Sequence, residues 1–108
     1  MSKGISGMMK QAQKLQQQIE KIQEDLANQT VEGSAGGGMV TVVANGRSDI
    51  ISLKIDKEVV NPDDVEMLED LILSAIKQAI ERSQELADSE MKKATSGMVP
   101  GGLKLPGF

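Results

Sequence analysis

Thr30-Val31-Glu32-Gly33-Ser34-Ala35-Gly36-Gly37-Gly38-Met39-Val40-Thr41-Val42-Val43-Ala44-Asn45-Gly46-Arg47-Ser48-Asp49-Ile50-Ile51-Ser52-Leu53-Lys54-Ile55 is the stretch that decides the fold. Its apolar period is two. Residues 30–35 read as a short strand and the triple glycine as a turn. Residues 39–44 form a strand by their Val and Thr content. Residues 49–55 form a third, with Ile51, Leu53 and Ile55 on one face and Ile50, Ser52 and Lys54 on the other. Asn45-Gly46 predicts a type I′ hairpin turn, in which both central residues adopt positive φ. Three strands joined by two tight turns make an antiparallel meander.

On either side of this stretch the period becomes helical. Met8, Ala12, Leu15, Ile19, Ile22 and Leu26 are spaced alternately by four and three, a coiled-coil seam that predicts a first helix over residues 6–27. A seam this narrow wants a partner helix. Downstream, Asn61-Pro62-Asp63-Asp64 predicts a helix start: Asn61 caps, Pro62 occupies the first helical position, and the acids complement the positive helix end. This second helix is expected to run from residue 62 to about residue 94. Its early half is apolar on more than one side, so one face covers the sheet while Leu68, Leu71, Ile72, Ala75, Ile76 and Ala79 are assigned to meet a second subunit. Its later half is charged and narrow, like an arm. The expected class is α+β, in the order α-β-β-β-α. One domain spans residues 1–94, and a Gly/Pro-rich tail without regular structure spans residues 95–108.

Composition narrows the function. The 108-residue chain has no Trp or Tyr and a single Phe, at its last position. Its core is therefore aliphatic and modest, and a second copy adds buried surface that one chain lacks. It has no Cys and no His. Thiol and Ser–His nucleophiles, disulfides and His or Cys metal ligands are thereby excluded. No metal, cofactor, catalytic residue or small-molecule substrate is expected. Nothing is apolar over the roughly 20 residues of a membrane span, and Met1-Ser2-Lys3-Gly4 lacks the apolar core of a secretion signal, so a soluble cytoplasmic protein without membrane contact is expected. Net charge is −4, but residues 56–70 hold seven acids and one lysine, whereas residues 1–21 hold four lysines and one acid. The local field can thus differ in sign from the total.

Specific residues resemble a known family. Val31-Glu32-Gly33-Ser34-Ala35-Gly36-Gly37-Gly38-Met39-Val40-Thr41-Val42 followed by Asn45-Gly46 is similar to the central signature of the YbaB/EbfC family of bacterial nucleoid-associated proteins. Ile55-Asp56, Leu68-Glu69-Asp70-Leu71 and Ala75 with Ala79 resemble its second-helix pattern, Met8-Met9-Lys10-Gln11-Ala12 its opening, and Gly97-Met98 with Leu105-Pro106-Gly107 its tail. Thr41 departs from it, since many members carry a basic residue there. The resemblance implies a tweezer-shaped homodimer with helical arms. It also implies double-stranded DNA as partner, weak or variable sequence preference, location at the nucleoid, and a part in nucleoid organisation and gene regulation.

The candidate DNA-binding residues are Lys3, Lys10, Lys14, Lys21, Arg82, Lys92 and Lys93. Lys10, Lys14 and Lys21 fall opposite the seam of the first helix, accompanied by Gln11, Gln13, Gln16 and Gln17, whose amides can donate to phosphate. A solvated face is the bland reading. Against it, the lysines lie near the helix start and Glu20, Glu24 and Asp25 near its end, which opposes the helix dipole at roughly 0.3–1 kcal/mol per charge in the terminal turns. For Lys92 and Lys93, capping of a helix C-terminus is the simpler account. The triple glycine lacks the Gly-Lys-Ser/Thr of a phosphate cradle, and the acids of 56–70 lack the ligand spacing of a calcium loop. They are assigned to helix start and solvation, and also to keeping DNA away from the body. Two other functions compete. A coiled-coil adaptor or chaperone-like dimer that grips protein fits the seam, the methionines and the acidic total. A carboxylate-dependent hydrolase needs a pocket and an aromatic platform, of which the sequence shows no sign.

Overall fold

The computed structural model describes the backbone of residues 2–96 and the side chains of residues 5–94. The order is α1 (Ser2–Ala27), β1 (Thr30–Ala35), β2 (Val40–Asn45), β3 (Ile50–Ile55), a 3-10 turn (Lys57–Val59) and α2 (Val65–Ser96). The strands form the expected meander, antiparallel and in the order β1-β2-β3. α1 begins four residues earlier than its seam indicates. α2 runs two residues into the segment expected to be tail, and the rest of that tail, residues 97–108, lies outside the described residues.

The core is built from small side chains. Val40, Val42 and Ala44 on β2 are buried against Ala75 and Ala79 on α2. Gly33 on β1 pairs with Val42 and allows this close packing: a Cβ there would strike the Ala75 carbonyl oxygen and the Ala79 amide nitrogen. α2 also wraps over the outer edge of β1. Ser34 N–H donates to Gln78 Oε1 (2.7 Å), and Arg82 Nη1 donates to the Glu32 carbonyl (2.7 Å). Two of the outward backbone groups of that edge, Ser34 N–H and Glu32 O, are thus engaged by α2 side chains, which hinders further strand pairing there.

Three local expectations are corrected. The β2–β3 turn is not type I′. Asn45 N–H donates to Asp49 O and Ser48 N–H to Asn45 O, each 3.0 Å, and the left-handed residue is Ser48, with φ 66°. This is a three-residue loop closed by a bulge residue. Asn45 is held by its side chain: Oδ1 accepts from Arg47 N–H (2.9 Å) and Asp49 N–H (3.0 Å), while Nδ2 donates to the Ala27 carbonyl (3.3 Å). Gly46 serves close approach instead. Its N–H donates to Leu26 O (2.8 Å) and Gln29 O (3.0 Å), and a Cβ would lie 2.6 Å from Leu26 Cδ2.

The second correction concerns β3. Its register shifts between Val43 and Ala44, so that Ala44 pairs with Ile50 and Val42 with Leu53. Strict alternation therefore fails, and Ile50 joins Leu53 and Ile55 on the side of the sheet that faces α2. Third, Asn61 does not cap α2. Its Oδ1 accepts from Asp63 N–H (3.0 Å) in a turn, and the helix is capped by Asp64, whose Oδ1 accepts from Met67 N–H (3.2 Å). Pro62 accordingly lies in the turn before α2.

Leu26 and Ser83 join the helices to the body. Both are buried at the β2–β3 turn, where Ser83 Oγ donates to the Asn45 carbonyl (2.7 Å) and lies 3.0 Å from Ser48 Oγ. From this level α1 and α2 leave the body together as an antiparallel arm. Ile19 and Ile22 on one helix, and Leu86, Ala87, Glu90, Met91 and Ala94 on the other, are half-buried at helical spacing. The molecule measures 74 × 25 × 17 Å. Beyond this level α1 extends roughly 36 Å and the described part of α2 roughly 20 Å, at 1.5 Å per residue. Among the described residues, the tip of the arm is formed by α1.

Candidate nucleic-acid interface

At 100° per residue, Lys3, Lys10, Lys14 and Lys21 fall within a band of about 40° on α1, opposite the seam. Lys10, Lys14 and Lys21 are exposed. The side chain of Lys3 lies outside the described residues. Along the axis Lys10 and Lys14 stand about 6 Å apart and Lys14 and Lys21 about 10 Å. The structure thus brings Lys10, Lys14 and Lys21 onto one ridge of one helix.

The charge is also sorted along the arm. α1 has no acid in its first turn and no base in its last. Residues 5–18 contain Lys10 and Lys14 and no acid, and Glu20, Glu24 and Asp25 follow. The positive end of the α1 macrodipole is at the same tip and acts within its first turn. At the root of the arm, exposed Glu81, Glu85 and Asp88 of α2 lie level with Glu20, Glu24 and Asp25. The tip is positive and the root negative. With a screening length of about 8 Å at physiological salt, the tip's field is set by its own lysines and little by the acidic body. Lys21 belongs to the root, with acids three and four residues further along its own helix.

The remaining candidate cations do not join this ridge. Arg82 is engaged on the edge of β1, 50 positions away in sequence. Lys93 Nζ lies 3.5 Å from Glu90 Oε1, a one-turn pair on α2, and Lys92 is an exposed neighbour.

The residues assigned to a second subunit divide in two. Ala75 and Ala79 are fully buried inside one chain, and Leu71 packs beside Gly36, so these three serve the fold. Leu71, Gln78 and Arg82 mark the flank of α2 that lies over β1. The opposite flank carries Ile72, Leu73, Ile76 and Ile80 and points toward the β3 side of the sheet, which α2, packed on β1 and β2, does not cover. There the core is uncovered: Ile50, Ile51, Leu53 and Leu73 are all exposed. Leu68 is half-buried between the two flanks and packs against the core. Sequence reasoning did not anticipate this exposed apolar face of β3, whose signal is that Ile50-Ile51-Ser52-Leu53 carries apolar side chains in both phases of a strand.

Among the described residues no group of acids is arranged to hold a metal ion, and no helix is long and apolar enough to cross a membrane. The sequence model of the YbaB/EbfC DNA-binding family matches residues 1–98. The chain is 50% identical over 108 residues to a nucleoid-associated protein of Syntrophobacter fumaroxidans, covering 100% of this chain and 97% of that one. It is 52% identical over 104 residues to nucleoid-associated protein TTE0040 of Caldanaerobacter subterraneus, covering 96% and 89%. In three dimensions it is similar to the crystal structure of uncharacterized protein HP0035 from Helicobacter pylori, with a TM-score of 0.65, 20% identity, and coverage of 88% and 96%. That likeness shows the shared fold, and the sequence matches, which span nearly the whole chain, show the kinship: the chain belongs to the YbaB/EbfC DNA-binding family.

Proposed function

We propose that this protein binds duplex DNA as a homodimer, at the nucleoid, through phosphate contacts made by the tips of two α1 arms. The observation that carries the reading is the ridge of exposed lysines on α1, set in a stretch, residues 5–18, that contains no acid. Lys10 and Lys14 neutralise phosphates and release counterions, with Lys3 as a further candidate. Neither an aromatic wedge nor an arginine-rich recognition helix is available, so base readout is weak, and any effect on gene expression follows from occupancy and DNA geometry. The acids at the root and in the body keep the duplex at the tips.

The dimer is assigned to the β3 flank: Ile50, Leu53, Ile72, Leu73 and Ile76. A contiguous exposed apolar patch of this kind marks an association surface, and the engagement of the β1 edge by α2 leaves β3 as the open side of the sheet. Leu53→Lys with Leu73→Lys is expected to lower the solution mass to that of one chain. A variant that keeps the wild-type dimer mass removes this interface.

The deciding experiment for DNA is a duplex titration at two salt concentrations. Dissociation constants of roughly 10⁻⁴–10⁻⁶ M at physiological salt are expected, tightening steeply at low salt. Lys10→Glu with Lys14→Glu is expected to weaken binding at least about ten-fold and flatten the salt slope, with helicity and dimer mass unchanged. Absence of binding at low salt overturns the reading, and the protein-gripping dimer then takes its place.

A further inference from the structure

Asn45-Gly46, at the β2–β3 turn, carries a chemistry of its own. An asparagine followed by glycine is the dipeptide most open to self-cyclisation, because no side chain on the second residue shields its amide nitrogen from the asparagine carboxamide. The chain's other asparagines, Asn28 and Asn61, precede Gln29 and Pro62. A side chain hinders the first, and proline offers the second no amide N–H. Glycine at position 46 is not required by its conformation, since its φ is not positive. It is required for room: a Cβ would lie 2.6 Å from Leu26 Cδ2 and 2.9 Å from the Leu26 carbonyl oxygen. The docking of α1 therefore demands the labile pair.

The same docking locks the pair. Asn45 is buried, and its carboxamide is engaged at both ends. Oδ1 accepts from Arg47 N–H and Asp49 N–H, while Nδ2 donates to the Ala27 carbonyl (3.3 Å) and to Asp49 Oδ2 (3.1 Å). Every donor and acceptor position of the group is thereby used. The nucleophile is held as well, because Gly46 N–H donates to Leu26 O and Gln29 O. The carbonyls of Leu26, Ala27 and Gln29 all belong to the end of α1 and its link to β1. When that end lifts from the body, Gly46 N–H and one Nδ2 hydrogen are freed together. Segments held by few buried side chains open more readily than the whole fold, and Leu26 is the one buried side chain of α1 among those described.

We infer that Asn45-Gly46 is a self-modification site gated by the docking of α1. When the helix end lifts, the Gly46 nitrogen gives up its proton and attacks Asn45 Cγ. The new N–C bond closes a five-membered succinimide, the Cγ–Nδ2 bond breaks, and Nδ2 leaves with the proton as ammonia. Water then opens the ring at either carbonyl, giving aspartate or isoaspartate at position 45. Water is the only co-reactant. The product cannot hold the helix end as before. Where Nδ2 donated, a carboxylate oxygen faces the Ala27 carbonyl and the Asp49 carboxylate, acceptors with no proton between them. Isoaspartate also lengthens the backbone by a methylene. Lifting of the arm thus becomes permanent once the ring has formed and opened, whatever the arm binds.

The test follows the mass change at position 45 in the full chain, kept in warm neutral buffer beside a peptide of residues 42–50. Conversion in the folded chain is expected to be at least about 100-fold slower than in the peptide. Leu26→Ala loosens the docked helix end and is expected to speed conversion at least about ten-fold over the wild type, with helix and strand content retained. Asn45→Asp reproduces one product and is expected to be cut by trypsin after Lys21 at least about ten-fold faster than the wild type. Wild-type conversion at the peptide's rate, an unchanged rate in Leu26→Ala, or wild-type trypsin resistance in Asn45→Asp overturns the gate. Should Leu26→Ala unfold, amide exchange in the wild type decides. The Gly46 amide is expected to open more readily than the amides of Val40 and Val42, and as often as Asn45 converts relative to the peptide. A Gly46 amide protected as strongly as that core means that only global unfolding exposes the site, which overturns the gate as well.

Discussion

The two helices of this protein follow opposite electrostatic rules. α2 has Glu66 in its first turn and Lys93 in its last, each complementing the helix dipole. α1 has no acid in its first turn, no base in its last, and acids where bases would help. The burial differs in the same direction. α2 buries Ala75, Ala79 and Ser83, whereas α1 buries only Leu26 among its described side chains. α2 is shaped by what it packs against. α1 gives up a few tenths of a kcal/mol per terminal charge, of the order known for the helix dipole, and gains a positive tip on an acidic chain. A feature that costs stability and is not repaid by packing points to function.

The largest effect that would break this comparison lies at the packing side. Gly33→Val places a branched side chain against the α2 backbone at Ala75 and Ala79. Overpacking a tight core typically costs about 1–3 kcal/mol, more where backbone must move. Here the obstruction is backbone, so denaturant unfolding is expected to show a loss of about 3 kcal/mol or more. A loss below about 0.5 kcal/mol, the level of an ordinary surface change, would mean that α2 does not rest directly on β1. No α1 position remote from Leu26 is expected to approach this sensitivity.

Much of this architecture is legible in the sequence, because periodicity reports burial. The seam of α1, the strand alternation of residues 30–44 and the apolar set of α2 each appear as regular elements near the expected limits. What escapes depends on contacts distant in sequence. Asn45-Gly46 reads as a type I′ turn until Leu26 and Ala27 are brought to it, and docking of that helix end then decides the geometry. The phase of β3 is lost at its bulge, because a register shift belongs to a pair of strands and leaves no mark on one. Ala75 and Ala79 look equally suited to a sheet or to a second subunit, and only Gly33, 40 or more positions away, distinguishes the two. The lysine ridge is readable residue by residue, but its separation from the acids at the root of the arm requires α2 to lie alongside. Arg82 looks like any exposed base until the edge of β1 is placed next to it.

The smallest effect is the sharpest test of the contrast, because its sign differs between the helices. Glu24→Lys puts a base in the last turn of α1, where the dipole favours it. Lys93→Glu puts an acid near the end of α2, where the dipole opposes it and where the pair with Glu90 becomes a repulsion. Each change is expected to alter unfolding free energy by about 0.3–1 kcal/mol at low salt, stabilising for Glu24→Lys and destabilising for Lys93→Glu, with both effects shrinking as salt rises. DNA affinity separates them further. Glu24→Lys relaxes the negative root of the arm, so the duplex settles deeper and the salt slope steepens by up to about 0.9 for each phosphate gained. If Glu24→Lys were instead to destabilise the fold, the acids at the end of α1 would be satisfying a structural need. The charge order of that helix would then no longer speak for a nucleic-acid partner.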